Sequence, residues 1–206
     1  MPSSQITGRS AAGLRRTILL DARLVGPRGD ALCRIHAMSG REMTAQTCTL
    51  LGRNDWVRVD LPNGQSASGQ VDWTAHDHVG VTFAVPIGDL DQFLARCFPD
   101  ESTPPALSPR TPHFVTSCPV DLWQGSTAIA TTMIEISTDG ARFATPTTPR
   151  LGRPLLLSGP GLPALVAARL CWASAGEAGV IFEQPLPFDT LAPWLDTRAL
   201  RFAQRG

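Results

Sequence analysis

Polar and apolar residues alternate with period two through much of this chain, which predicts short, half-buried strands. Val57, Val59 and Leu61 alternate with Arg58 and Asp60, and the run stops at Pro62-Asn63-Gly64. Asn-Gly supplies the positive φ that a tight hairpin needs, so a turn is expected there. Gln70 to Trp73 and Val79 to Phe83 alternate likewise, across a polar loop that holds His76-Asp77-His78. Further on, Ala128, Ala130, Thr132, Ile134 and Ile136 alternate as far as a turn at Ser137-Thr138-Asp139-Gly140, and Val166 to Trp172 and Val180 to Phe182 follow. In two places the spacing becomes helical. Ile87, Leu90, Phe93, Leu94 and Phe98 recur behind Asp89, and Phe188, Leu191, Trp194 and Leu195 recur behind Pro187. A short helix after a set of strands can cap the open mouth or edge of a small barrel.

The pattern occurs twice. Val71-Asp72-Trp73 precedes Val79-Gly80-Val81-Thr82-Phe83, and Leu170-Cys171-Trp172 precedes Ala178-Gly179-Val180-Ile181-Phe182. Trp73, Gly80, Phe83 and Pro86 map onto Trp172, Gly179, Phe182 and Pro185 at an offset of about 99 residues, the mark of an internal repeat. Leu51-Gly52-Arg53 maps onto Leu151-Gly152-Arg153, and Met38-Ser39 onto Ile136-Ser137. Between the copies, the stretch from Pro99 to Pro112 is rich in proline and has no apolar period, which keeps a segment extended and stiff. The expected fold is mainly β: two tandem small antiparallel β-barrels, each ending in a short α-helix. The expected organisation is a flexible N-terminus over 1–13, a first barrel over 14–99, a Pro-rich linker over 100–112 and a second barrel over 113–206. Trp73 and Trp172, kept at one place in both copies, are assigned to the cores. Trp123 is open between a barrel core and an exposed anchor.

Composition narrows the function. The chain has 206 residues, 43% of them hydrophobic, enough to build cores. No run approaches 18 apolar residues, so no membrane insertion is expected. Met1 to Gly13 lacks an apolar segment, so no secretory signal is expected and a cytoplasmic location is. Formal charge is +0, without the basic excess of a non-specific nucleic-acid binder, so nucleic acid is not an expected partner. Every one of the 18 basic residues is Arg. Without Lys, anion recognition falls to guanidinium groups and backbone N–H. The five cysteines, Cys33, Cys48, Cys97, Cys118 and Cys171, form no Cys-x-x-Cys and read as buried free thiols. His76-Asp77-His78 has no second ligand pair nearby, so no metal is expected. His36, at the place of Ile134, reads as an inward structural side chain. No nucleophile elbow, zinc motif or Walker motif is present, so no catalysis and no enzyme cofactor is expected.

A small barrel with a terminal helix, a Ser-centred turn after its second strand and a late Gly-Val-x-Phe strand resembles the PilZ domain. The resemblance covers nearly the whole chain, twice. It implies a receptor for cyclic di-GMP in bacteria, recognised by an Arg-Arg-x-x-x-Arg run before the first strand and Asp/Asn-x-Ser-x-x-Gly after the second. Guanidinium forks suit phosphate oxygens and stack on bases, and the Gly allows a tight turn. In the first copy Arg15-Arg16 has Leu20 where the third Arg would stand. Aligned on the strand end instead, Arg15 becomes the third Arg, with Arg9 just outside the leading pair. The later motif, Ala37-Met38-Ser39-Gly40-Arg41-Glu42, keeps only Ser39, and Glu42 replaces Gly. The second copy keeps Glu135-Ile136-Ser137-Thr138-Asp139-Gly140 but offers only Arg110 and His113 before its first strand. One copy keeps arginines without the turn, the other the turn without the arginines.

Two functions remain open. One is a regulatory adaptor with degenerate cyclic di-GMP motifs, acting through an unidentified bacterial protein partner. The other is a weak cyclic di-GMP receptor, with Arg9, Arg15, Arg16, Ser39 and Arg41 in the first copy, or those arginines facing Ser137 and Gly140 across the two barrels.

Overall fold

The computed structural model describes residues 15–98, 111–147, 149–150, 153–162 and 165–203. The first copy contains β1 (Arg16–Gly26), β2 (Gly29–Met38), β3 (Glu42–Thr47), β4 (Trp56–Asp60), β5 (Ser66–Ala75), β6 (His78–Phe83) and α1 (Leu90–Leu94). The second contains β7 (Phe114–Gln124), β8 (Thr127–Ile136), β9 (Gly140–Ala144), β10 (Pro154–Ser158), β11 (Val166–Ser174), β12 (Glu177–Phe182) and α2 (Phe188–Ala203). Each set closes into an antiparallel barrel, in the order β1-β2-β3-β6-β5-β4 and β7-β8-β9-β12-β11-β10. Closure leaves no free sheet edge. No helix among the described residues is long and apolar enough to cross a membrane.

The alternation read in β4 and β6 fills the first interior. In β8 the expected faces are reversed: Ala128 and Ala130 are exposed and Thr132 and Ile134 half-buried, while Thr131 and Met133 are buried instead. A shift between Met133 and Glu135 then brings Ile136 inward. Val57 and Val59 of β4 are buried while Arg58 between them is exposed. The β4–β5 connection turns at Gly64 (φ 85). Asn63 does more than turn the chain: its Nδ2 donates to the carbonyls of Phe93 and Ala95 at 2.8 Å each. That satisfies carbonyls at the end of α1 that the helix leaves unpaired. Asp89 caps the other end, accepting from the Gln92 N–H at 3.0 Å.

The repeat persists in the main-chain hydrogen bonds. Phe83 N donates to Arg41 O at 2.8 Å, and Phe182 N to Asp139 O at the same distance. Ile87 N donates to Gly40 O at 2.7 Å, and Leu186 N to Thr138 O, again at 2.7 Å. The first hairpin of each barrel also carries a register shift at one place, between Thr17 and Leu20 and between Val115 and Cys118.

The structure corrects several expectations. Trp73 and Trp172 are 44% and 43% exposed, not core. Each strand carries a bulge just before the Trp, between Val71 and Trp73 and between Leu170 and Trp172. The extra residue inverts the alternation and turns the indole outward. His36 is half-buried, at a similar shift between Ile35 and Ala37, with its ring 5.4 Å from that of His78. The helical run of the first copy shortens to Leu90–Leu94, the chain turning at Arg96 (φ 64) and leaving Phe98 exposed. Trp123 is half-buried within β7. Cys33, Cys97 and Cys118 are buried, but Cys48 is partly buried and Cys171 exposed. Burial pushes the Cys33 thiol well above the ordinary cysteine range.

The barrels meet through α2. Phe188, Leu191, Trp194 and Leu195 are buried in the second core, and Leu32 and Cys48 of the first barrel pack into the same cluster. Arg34 on β2 bonds Asp21 through two nitrogens at 2.7 and 3.0 Å, and its guanidinium carbon lies 4.5 Å from the Phe188 ring centroid. Asp21 thereby raises the Arg34 pKa. Arg23 on β1 donates to the His113 carbonyl and lies 5.7 Å from the Phe114 ring.

Candidate functional site

The two Ser-centred turns have one geometry. Ser39 Oγ accepts from the N–H groups of Arg41 and Glu42, each at 3.2 Å. Ser137 Oγ accepts from Asp139 and Gly140 N–H, also at 3.2 Å. Each hydroxyl also donates within its turn, to Glu42 O or Gly140 O, at 3.4 Å. Both serines are buried, at 4% and 1% exposure. Their hydrogen-bonding capacity is spent on the turn itself, as Ser commonly does. Gly140 is required sterically: a Cβ there would collide with the Val180 carbonyl oxygen.

Beside each turn runs an outward row of side chains set by strand register. In the second barrel it passes through Val115, Glu135, Arg142 and Gly179 to Trp172. In the first it passes through Thr17, Ala37, Thr44 and Gly80 to Trp73. In both, the indole lies against the glycine, where a Cβ would collide with the ring. That close approach explains why both copies hold a Gly opposite a Trp.

The two rows differ in charge. In the first barrel Arg15 reaches over β3 and donates from Nη2 to Thr44 Oγ1 at 2.6 Å. Arg16, next to it, turns the other way and pairs with Asp91 on α1. The adjacent arginines therefore diverge. Arg41 is exposed at the tip of the Ser39 turn. Arg9 lies outside the described residues. In the second barrel Glu135 organises the row. Its carboxylate stands 3.3 Å from His113 Nδ1 and 3.4 Å from Arg142 Nε. Glu177 lies 3.9 Å from the same Arg142 nitrogen.

Around this second row is a cleft of about 840 Å³, floored by Trp172 and Ile181 and walled by His113, Glu135, Asp139 and Arg142. Ser137 and Gly140 line it. The structure therefore gathers two of the sequence-expected residues in one cleft, and places Arg15, Arg16, Ser39 and Arg41 on the other barrel. The arginines seen crossing between the barrels are Arg23 and Arg34, neither of them on the expected list. Sequence reading also missed Trp172, Glu135 with His113, and Arg142 as groups of one site. The available signal was the Trp–Gly pairing held by both copies.

No protein-family model matches the sequence, and no curated protein matches it. Solved structures do. PlzA of Borreliella burgdorferi, in complex with c-di-GMP, is 11% identical over 86% of this chain and 90% of its own, with a TM-score of 0.36. YcgR of Escherichia coli, also in complex with c-di-GMP, is 10% identical over 91% of this chain and 86% of its own, with a TM-score of 0.34. The PilZ domain of CeSA from a cellulose-synthesizing bacterium is 18% identical over 47% of this chain and 100% of its own, with a TM-score of 0.30. The likeness is thus to the structures of a PilZ domain and of two proteins in complex with c-di-GMP.

Proposed function

We propose that this chain is a PilZ-like regulatory adaptor of bacterial signalling, working in the cytoplasm through contact with another protein. The observation that carries the reading is the spending of its ligand-type groups on internal contacts. Both turn serines bond their own backbone, Arg16 is paired with Asp91, and Arg15 points away from Arg16. A bis-phosphate ligand needs converging guanidinium groups. In the second barrel the row beside the turn holds one guanidinium, and Glu135 already engages it. Isothermal titration of the purified chain with cyclic di-GMP tests the reading. No heat is expected at tens of micromolar protein, and a saturable isotherm would overturn it.

The competing reading, a weak cyclic di-GMP receptor, has one observation in its favour. Arg15 extends across the outer row of the first barrel, the row that ends at the exposed indole of Trp73. On that reading Arg15→Ala abolishes saturable binding, and unchanged binding in an Arg15→Ala/Arg16→Ala variant excludes it.

A further inference from the structure

We propose that the cleft of the second barrel binds a cationic side chain, an Arg or Lys of an extended partner segment, seated on the face of Trp172. This rests on the adaptor reading and names the chemistry of its partner. The platform comes from the fold. The Trp172 indole lies against Gly179, backed by main chain there, and the residue is 43% exposed and lines the cleft. An aromatic face attracts a cation, most strongly where the cation is partly desolvated. The cleft, about 840 Å³, is large enough for a side chain and its flanking backbone.

Charge chooses the ligand's sign. Among the described residues, Glu135 and Asp139 line the cleft as carboxylates and Arg142 as a guanidinium, with His113 beside Glu135. Arg142 lies within salt-bridge distance of two carboxylates, Glu135 and Glu177. An entering anion would meet a surplus of carboxylate, whereas an entering cation gains Asp139 and a share of Glu135. Apolar surface sets the flanking residue. Val115 is 90% exposed beside Glu135, and Ile181, 49% exposed, lies next to Gly140. The fitting segment therefore alternates a basic with an aliphatic residue. The first barrel lacks this chemistry, because Ala37 and Thr44 hold the places of Glu135 and Arg142, and Arg15 lies across the row.

The test is a ¹H–¹⁵N titration that follows the Trp172 indole N–H, assigned through Trp172→Phe. The probes are a blocked Arg-Ile-Arg-Ile peptide, its Glu-Ile-Glu-Ile counterpart and cyclic di-GMP. The Arg peptide should shift the Trp172 signal saturably, and Glu135→Gln should weaken it by about tenfold. Trp172→Phe keeps a ring and should retain most of the binding, read at other cleft amides, while Trp172→Ala should lose about three- to tenfold. No response to the Arg peptide, or an equal response to the Glu peptide, would overturn the proposal. If cyclic di-GMP is silent in that case, the adaptor reading stands. A saturable response to cyclic di-GMP would overturn the adaptor reading and this inference together.

Discussion

Ser137 and Ser39 each hold a turn by accepting two backbone N–H groups with a buried hydroxyl. Replacing Ser137 by Ala removes the acceptor of both donors, of which the Gly140 N–H is buried. We expect about 1–3 kcal/mol of lost stability, read from urea unfolding. Ser39→Ala should behave alike, because the geometry is the same. The Trp–Gly pairs make a second residue-scale prediction. Gly179→Ala puts a methyl where the indole lies, so Trp172 must swing off the strand. The expected signature is a red-shifted tryptophan emission with a stability loss of about 1 kcal/mol, since an exposed side chain can move aside. An unshifted spectrum would contradict that close approach. Ser39, Ser137 and Gly140 were readable as turn residues of a motif, but not whether the two serines face a ligand or their own backbone. A Ser in a turn has the same sequence signature whether it bonds a ligand or its own backbone, and only the hydrogen bonds separate the two.

At the scale of elements, register decides what each strand presents. Val57 and Val59 follow strict alternation and are buried as expected. Trp73 and Trp172 do not, because each sits at a shift in its ladder. A bulge is one unpaired residue, invisible to a period-two reading unless the partner strand is known. Thiol chemistry checks the resulting burial. Burial raises the pKa of Cys33, Cys97 and Cys118, so the folded barrels keep these thiols protonated where the unfolded chain ionises them. The unfolded state binds fewer protons as pH rises through about 9, so stability should fall there and be level well below it. In native protein at pH 8 the exposed Cys171 should react first with a thiol reagent and Cys33 last.

Across the whole molecule, the second barrel's helix ties the two repeats together. Leu32 sits on the first barrel but is buried in the second barrel's cluster, at 1% exposure. Leu32→Ala should cost about 2–4 kcal/mol and separate one calorimetric transition into two. A single transition with an unchanged midpoint would show that the barrels do not share this core. Arg34→Ala removes both the Asp21 fork and the Phe188 stacking, and should act in the same direction with a smaller effect, about 1–2 kcal/mol.

The sequence by itself determined the two barrels, their helices and their duplication, because alternation, helical spacing and repeated anchors are local or linear signals. It also showed that neither copy carries a complete anion-binding motif, since that is a matter of which residues are present. The tertiary structure decided where the side chains point. It turned Arg15 and Arg16 apart, brought Glu135, Arg142 and His113 to one carboxylate-centred cluster, and laid two indoles against two glycines. These juxtapositions arise from cross-strand register and bulges, which join residues distant in sequence, so no reading along one strand contains them.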